Sequence, residues 1–193
     1  MRKGSSGIGR VGSALLVVDV QNYFFDRRSP AFLRGTPALL PRINRLVAAA
    51  RKAGWPVIYT VHCRPGDGKN LMAARWKHLP AGAESDPYPG LDRRVGETVI
   101  KKEHYSAFMG TGLTVLLKRK GVRDIVLCGV MTHLCVDTTA RHGFMLGYRP
   151  VIAGDACCSK DAGYHRAALR CLRHGFARVA TTAGLLGAMP CAT

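Results

Sequence analysis

Residues 125–136 read Ile125-Val126-Leu127-Cys128-Gly129-Val130-Met131-Thr132-His133-Leu134-Cys135-Val136. The run up to Val130 is apolar and rich in β-branched residues, with no polar alternation. That pattern suits a strand covered on both faces of a parallel sheet. Thr132 then offers a hydroxyl in the N-cap position of a helix over residues 134–146, which ends at Gly147, where glycine fits the position after the last turn. The same handover from helix through glycine to strand recurs twice. Helices over residues 111–120 and 161–174 end at Gly121 and Gly175, each shortly before another apolar run.

Working outward, strands are expected over residues 14–20, 57–61, 97–101, 124–129, 149–153 and 178–181. A further helix opens at Thr36-Pro37, with proline in the first turn, and closes at Ala53-Gly54. Strands alternating with longer helical stretches predict a parallel α/β sheet with helices on both faces. Residues 63–96 are rich in Pro and Gly and show no clear period, so they are expected to form an excursion over the functional face. One domain over residues 13–193 is predicted, behind a mobile basic tail, residues 1–12, that carries Arg2, Lys3 and Arg10.

The 193 residues suffice for one substantial core and not for two domains of ordinary size. No apolar run approaches the roughly 20 residues that cross a bilayer. The apolar stretch 14–18 is cut off by Asp19, too soon for a signal peptide, and a cytoplasmic location is expected. The seven cysteines are odd in number and include no Cys-x-x-Cys, which points to reduced thiols and away from a zinc ribbon. The formal charge of +17 is the compositional oddity. Its basic residues, among them Lys118-Arg119-Lys120 with Arg123, Arg51-Lys52, and Arg166, Arg170 and Arg173, fall on predicted helix faces without interleaved aromatics. They predict solvated surfaces and no specific nucleic-acid site. An anionic substrate or weak attraction to polyanions remains compatible with the charge.

In open α/β sheets ligands bind beyond the carboxyl ends of the strands. Three reactive residues fall there. Asp19 interrupts the apolar Leu16-Val17-Val18-Asp19-Val20-Gln21-Asn22, where a buried charge needs a partner. Read from that segment alone, it is a catalytic carboxylate or a structural Asp capping a neighbouring loop. Lys102 follows the third strand in Lys101-Lys102-Glu103-His104-Tyr105-Ser106-Ala107-Phe108. Cys135 lies in the first turn of its helix, where the positive end of the helix dipole is expected to lower a thiol's pKa and favour the thiolate. The other six cysteines read as small buried hydrophobes, which is also the bland alternative for Cys135.

Together, Asp19 in Asp-Val-Gln-Asn, Lys102 in Lys-x-x-Tyr-Ser-Ala-Phe and Cys135 in Gly-Val-x-Thr-x-x-Cys-Val, followed by Thr138, Thr139, Ala140 and Arg141, resemble the isochorismatase-like hydrolases. The resemblance runs from Ala14 to about Gly187. It implies a three-layer α/β/α, Rossmann-like fold with a six-stranded, mostly parallel sheet of order 3-2-1-4-5-6. It also implies a triad in which Cys135 attacks a carbonyl carbon, Asp19 moves the proton and Lys102 steadies both. The oxyanion hole it implies is formed by the backbone N–H groups of Met131 and Cys135, with a cis peptide between Val130 and Met131.

Within that superfamily, nicotinamidase-type members carry an Asp-x-His with a further His after the second strand, ligating a metal. Here the stretch Tyr59-Thr60-Val61-His62-Cys63-Arg64 lacks the carboxylate, so His62 is read as structural and neither metal nor cofactor is predicted. Isochorismatase itself cleaves a vinyl ether without a cysteine nucleophile, so Cys135 favours C–N hydrolysis of a small amide, ureide or carbamoyl compound over vinyl ether cleavage. The alternative from another class is a catalytically idle basic scaffold that binds polyanions. Expected to line the substrate site are Gln21, Phe24, Arg64, Trp76, Tyr105, Phe108, Thr132 and His133, with Phe24, Tyr105 and Phe108 walling a small or flat substrate and Arg64 pairing a carboxylate. The expected partners are a small-molecule substrate and further copies of the chain, as a dimer or tetramer, with no membrane contact.

Overall fold

A computed structural model describes residues 12–66 and 70–190. The tail expected over residues 1–12 lies outside them except for Gly12. From β1 (Ser13–Val18) the chain passes through α1 (Asn22–Phe25) and α2 (Thr36–Lys52) to β2 (Val57–His62). The excursion follows, with α3 (Leu71–Arg75) and a 3-10 turn (Gly82–Ser85), and leads into β3 (Thr98–Lys102) and α4 (Leu113–Arg119). Then come β4 (Asp124–Val130), a π-type turn (Thr132–Val136), α5 (Asp137–Met145), β5 (Arg149–Cys158), α6 (Ala162–Gly175), β6 (Arg178–Ala180) and α7 (Thr182–Ala188).

The sheet has the order β3-β2-β1-β4-β5-β6 and every pair is parallel. The chain winds outward from β1 to β3 and then returns to β4 on the other side of β1, so the order reverses between β1 and β4. That reversal opens a crevice at their carboxyl ends.

Burial explains why these strands read as unbroken apolar runs. Every residue of β1, β2 and β4 is buried. Leu15 and Val17 of β1 point into one half of the core, against Ile43, Leu46 and Val47 of α2 and Leu185 of α7. Ala14, Leu16 and Val18 point into the other half, against Leu117 of α4, Ala140 of α5 and Leu172 of α6. Each such side chain contributes about 1.5–3 kcal/mol when removed from water, so the two-sided sheet is what holds the strand ends in place.

The structure corrects several boundaries. Lys102 is the last residue of β3 rather than its successor. The helix expected over 134–146 begins as the π-type turn, and α5 itself starts at Asp137. Thr132 is not an N-cap: no side chain caps that turn, and its hydroxyl is taken by His165 Nδ1 at 2.9 Å. The unexpected α7 is short and built largely of small residues, and it is started by the Thr181 hydroxyl accepting from the Gly184 amide at 3.1 Å.

Candidate active site

The crevice is built from the ends of four strands. Directly after β1, Asp19 adopts φ 53°, a left-handed conformation uncommon for any residue but glycine. Gly129, beside it on β4, has φ 113°, and a Cβ there would run into the Val18 carbonyl. Only glycine lets β4 approach the end of β1 so closely. The turn is held from β2, where the Thr60 carbonyl accepts from the Asp19 amide at 3.0 Å and the Thr60 hydroxyl donates to Asp19 Oδ1 at 2.7 Å.

Lys102 lies two strands away from Asp19, and its long side chain spans the end of β2. Its Nζ meets Asp19 Oδ2 at 2.8 Å, and both side chains are fully buried. The same ammonium donates to Cys135 Sγ at 3.3 Å and to the His104 carbonyl at 3.1 Å. Burial opposes the Lys102 charge, yet the Asp19 carboxylate and the Cys135 sulfur outweigh it and raise its pKa. Cys135 moves the other way from the helix-tip expectation: burial, then the Asp19 charge, push its thiol up to about 12 against the pull of Lys102. At rest the trio is a buried ion pair with a neutral thiol beside it. The Val130-Met131 peptide is cis.

Cys135 and His62 open onto a cleft of about 240 Å³. Its walls are largely apolar and aromatic, including Phe24, Phe32, Trp76, Leu79 and Tyr105. The excursion supplies part of this wall, and the Trp76 indole N–H donates to the Tyr105 hydroxyl at 2.7 Å, tying it to the loop after β3. That loop is fixed to α5 through the Ala107 amide on Thr139 Oγ1 at 3.0 Å and the Ser106–His142 hydrogen bond at 2.9 Å.

A family model of the isochorismatase domain matches residues 13–184. The chain belongs to the isochorismatase family of hydrolases. Among similar proteins, nicotinamidase 3 of Arabidopsis thaliana is 31% identical over 171 residues, covering 86% of this chain and 82% of that protein. A ureidoacrylate amidohydrolase of Klebsiella pneumoniae is 30% identical over 177 residues, covering 75% and 72%. The crystal structure of a cysteine hydrolase from Pseudomonas syringae pv. phaseolicola superimposes with a TM-score of 0.90 at 26% identity, covering 95% of this chain and 94% of that one.

In this isochorismatase-family hydrolase the cleft brings together Phe24, Trp76, Tyr105, Met131 and Cys135 of the residues anticipated from sequence, with Asp19 and Lys102 buried behind the sulfur. Five others lie outside its lining. Gln21 is fully buried and pairs through both ends of its amide with the backbone of His62, at 2.7 and 3.0 Å. Arg64 is exposed. Phe108 stacks on Tyr148 inside the core at 5.6 Å. Thr132 is held by His165, while His133 stacks on Tyr164 at 4.7 Å and bonds Ser159 at 2.8 Å. Thr132 and His133 pack on the scaffold because the π-type turn aims them toward α6 and the segment before it. Thr60, not singled out from sequence, and His62, read there as structural, share one face of β2 at a two-residue spacing; polar groups alternating in an otherwise apolar buried strand were the available signal.

Proposed function

We propose that the chain hydrolyses a C–N bond in a small amide, ureide or carbamoyl compound through a thioester on Cys135. The observation that carries this reading is the contact of Lys102 Nζ with both Asp19 Oδ2 at 2.8 Å and Cys135 Sγ at 3.3 Å, at the base of an otherwise apolar cleft. The nicotinamidase and ureidoacrylate amidohydrolase relatives, both C–N hydrolases by name, support it.

With the thiol neutral at rest, Sγ attacks the carbonyl carbon as its proton passes to Asp19. The tetrahedral oxyanion is met by the backbone N–H groups of Met131 and Cys135, donors typically worth about 3 kcal/mol each. Asp19 hands the proton to the departing nitrogen, the C–N bond breaks and the acyl group stays on sulfur. A water then gives its proton to Asp19 and its oxygen to the thioester carbon, releasing the acid and restoring the thiol. Throughout, Lys102 keeps Asp19 ionised between transfers and counters charge on the sulfur.

The test is ammonia or amine release from a panel of uncharged carboxamides, ureides and carbamoyl compounds by the parent and by Cys135→Ala. Loss of at least 1,000-fold in kcat/KM is expected on the best substrate. Parent-like turnover by the variant would end thioester chemistry here, and a parent that releases nothing from any compound of the panel would favour vinyl ether cleavage instead.

A further inference from the structure

His62 closes β2 and is paired in register with Lys102, so its imidazole sits beside the buried ammonium. It is 3% exposed, lines the cleft that Cys135 opens onto, and neither of its ring nitrogens has a hydrogen-bond partner among the described residues. A buried, unpartnered polar ring costs stability that an apolar ring of the same shape would not. Its backbone, by contrast, is fully engaged by the Gln21 side chain, which fixes the direction in which the ring leaves the strand.

We propose that His62 is the specificity-determining residue of this cleft, hydrogen-bonding the polar edge of an uncharged, flat carboxamide while the aromatic walls hold its ring. This rests on the C–N hydrolase reading above. Two further observations support it. Burial first, then Lys102, push the imidazole pKa down to about 4, so the ring is neutral at physiological pH and presents one donor and one acceptor, the complement of an amide. Among the described residues the deep end of the cleft holds no free cation: Lys102, behind the sulfur, is taken up by Asp19, Cys135 and His104, Arg64 lies outside the lining, and Lys160, which is in it, is solvent-exposed. A carboxylate placed beside Asp19 would go uncompensated.

The decisive pair of ligands is benzamide and benzoate, which share a ring and a shape and differ in charge. Binding is measured by calorimetry on Cys135→Ala protein, alone and combined with His62→Phe or His62→Asn, and turnover of benzamide is measured on the same two His62 variants with Cys135 intact. Benzamide is expected to bind at least tenfold more tightly than benzoate. His62→Phe should lose at least tenfold of that binding, and should raise KM for benzamide at least tenfold with kcat changed less. His62→Asn, which keeps a donor and an acceptor, should recover part of both. Equal binding of benzamide by the parent and the His62→Phe and His62→Asn variants, preference for benzoate, or no benzamide binding at all each overturns the inference. Binding that depends on His62 without any turnover would sink the hydrolase reading and leave the inference standing.

Discussion

A thiol held at about 12 is almost wholly protonated at neutral pH, so on the proposed thioester route the nucleophile has to be made at the moment of attack. The sign of the two charges around Cys135 then predicts a divergence between reactivity and catalysis. In the parent, alkylation of Cys135 by iodoacetamide, mapped by mass spectrometry, is expected to rise about tenfold per pH unit from pH 7 to 10, because each unit frees ten times more thiolate below its pKa. In Asp19→Asn the carboxylate that raises the thiol's pKa is gone and the ammonium that lowers it stays. Labelling at pH 8 should therefore be about tenfold faster than in the parent, while hydrolysis falls by at least 100-fold. Slower labelling of the variant would mean that Asp19 does not raise the thiol. The positions of Asp19, Lys102 and Cys135 were legible as strand-end and helix-end chemistry. The direction of the thiol's pKa was not, since it depends on how deeply the sulfur is packed. Thr60 and His62 acquire their places only once β1, β2 and β3 are in register.

Among the elements, edge strand β3 carries Lys102 with a single strand neighbour, and its start is held by one charged cluster. Arg51, at the end of α2, grips Glu97 with Nε at 2.7 Å and Nη2 at 2.8 Å, and reaches Asp92 Oδ2 at 2.8 Å. The Tyr59 hydroxyl donates to the same Glu97 carboxylate at 2.9 Å. Burial works against the Glu97 charge, but Arg51, the Arg94 amide and Tyr59 hold its pKa down to about 2. The Arg51 and Glu97 side chains are 12% and 17% exposed, so removing the guanidinium strands a largely desolvated carboxylate. Arg51→Met is expected to cost about 2 kcal/mol, a fall in melting temperature of about 4–8 °C for a chain of this size. Adding Glu97→Gln should return part of it, and no recovery in the double variant would show that the charge is not what matters. Sequence made the long elements plain, because α2, α5, α6 and the buried strands span enough residues to show a period. It did not reveal α3, the 3-10 turn or α7, whose four to seven residues are too few to carry one.

Across the whole molecule, 29 Lys and Arg face only 12 Asp and Glu. Many of those acids are already committed: Asp19 to Lys102, Asp92 and Glu97 to Arg51, Asp124 to Arg149, Asp137 to Arg141 and Asp155 to Arg42. Most of the cations are therefore left facing one another through solvent, a self-repulsion that weakens the compact state. Screening reaches this repulsion easily, since the Debye length shrinks from about 30 Å at 0.01 M salt to about 8 Å at 0.15 M. The exposed pairs lose a little over the same range, but such pairs contribute little, so the repulsive part should decide the sign. The melting temperature is expected to rise by about 3–6 °C between 0.01 and 0.15 M sodium chloride. Over that interval kcat/KM for an uncharged amide should stay within about twofold, because a neutral substrate is not steered by the field and the Asp19–Lys102 pair is shielded from ions by burial. Differential scanning fluorimetry and initial rates on the same samples measure both. A flat or falling melting temperature would mean that the cations are compensated in solution by something other than salt, such as a tightly held polyanion.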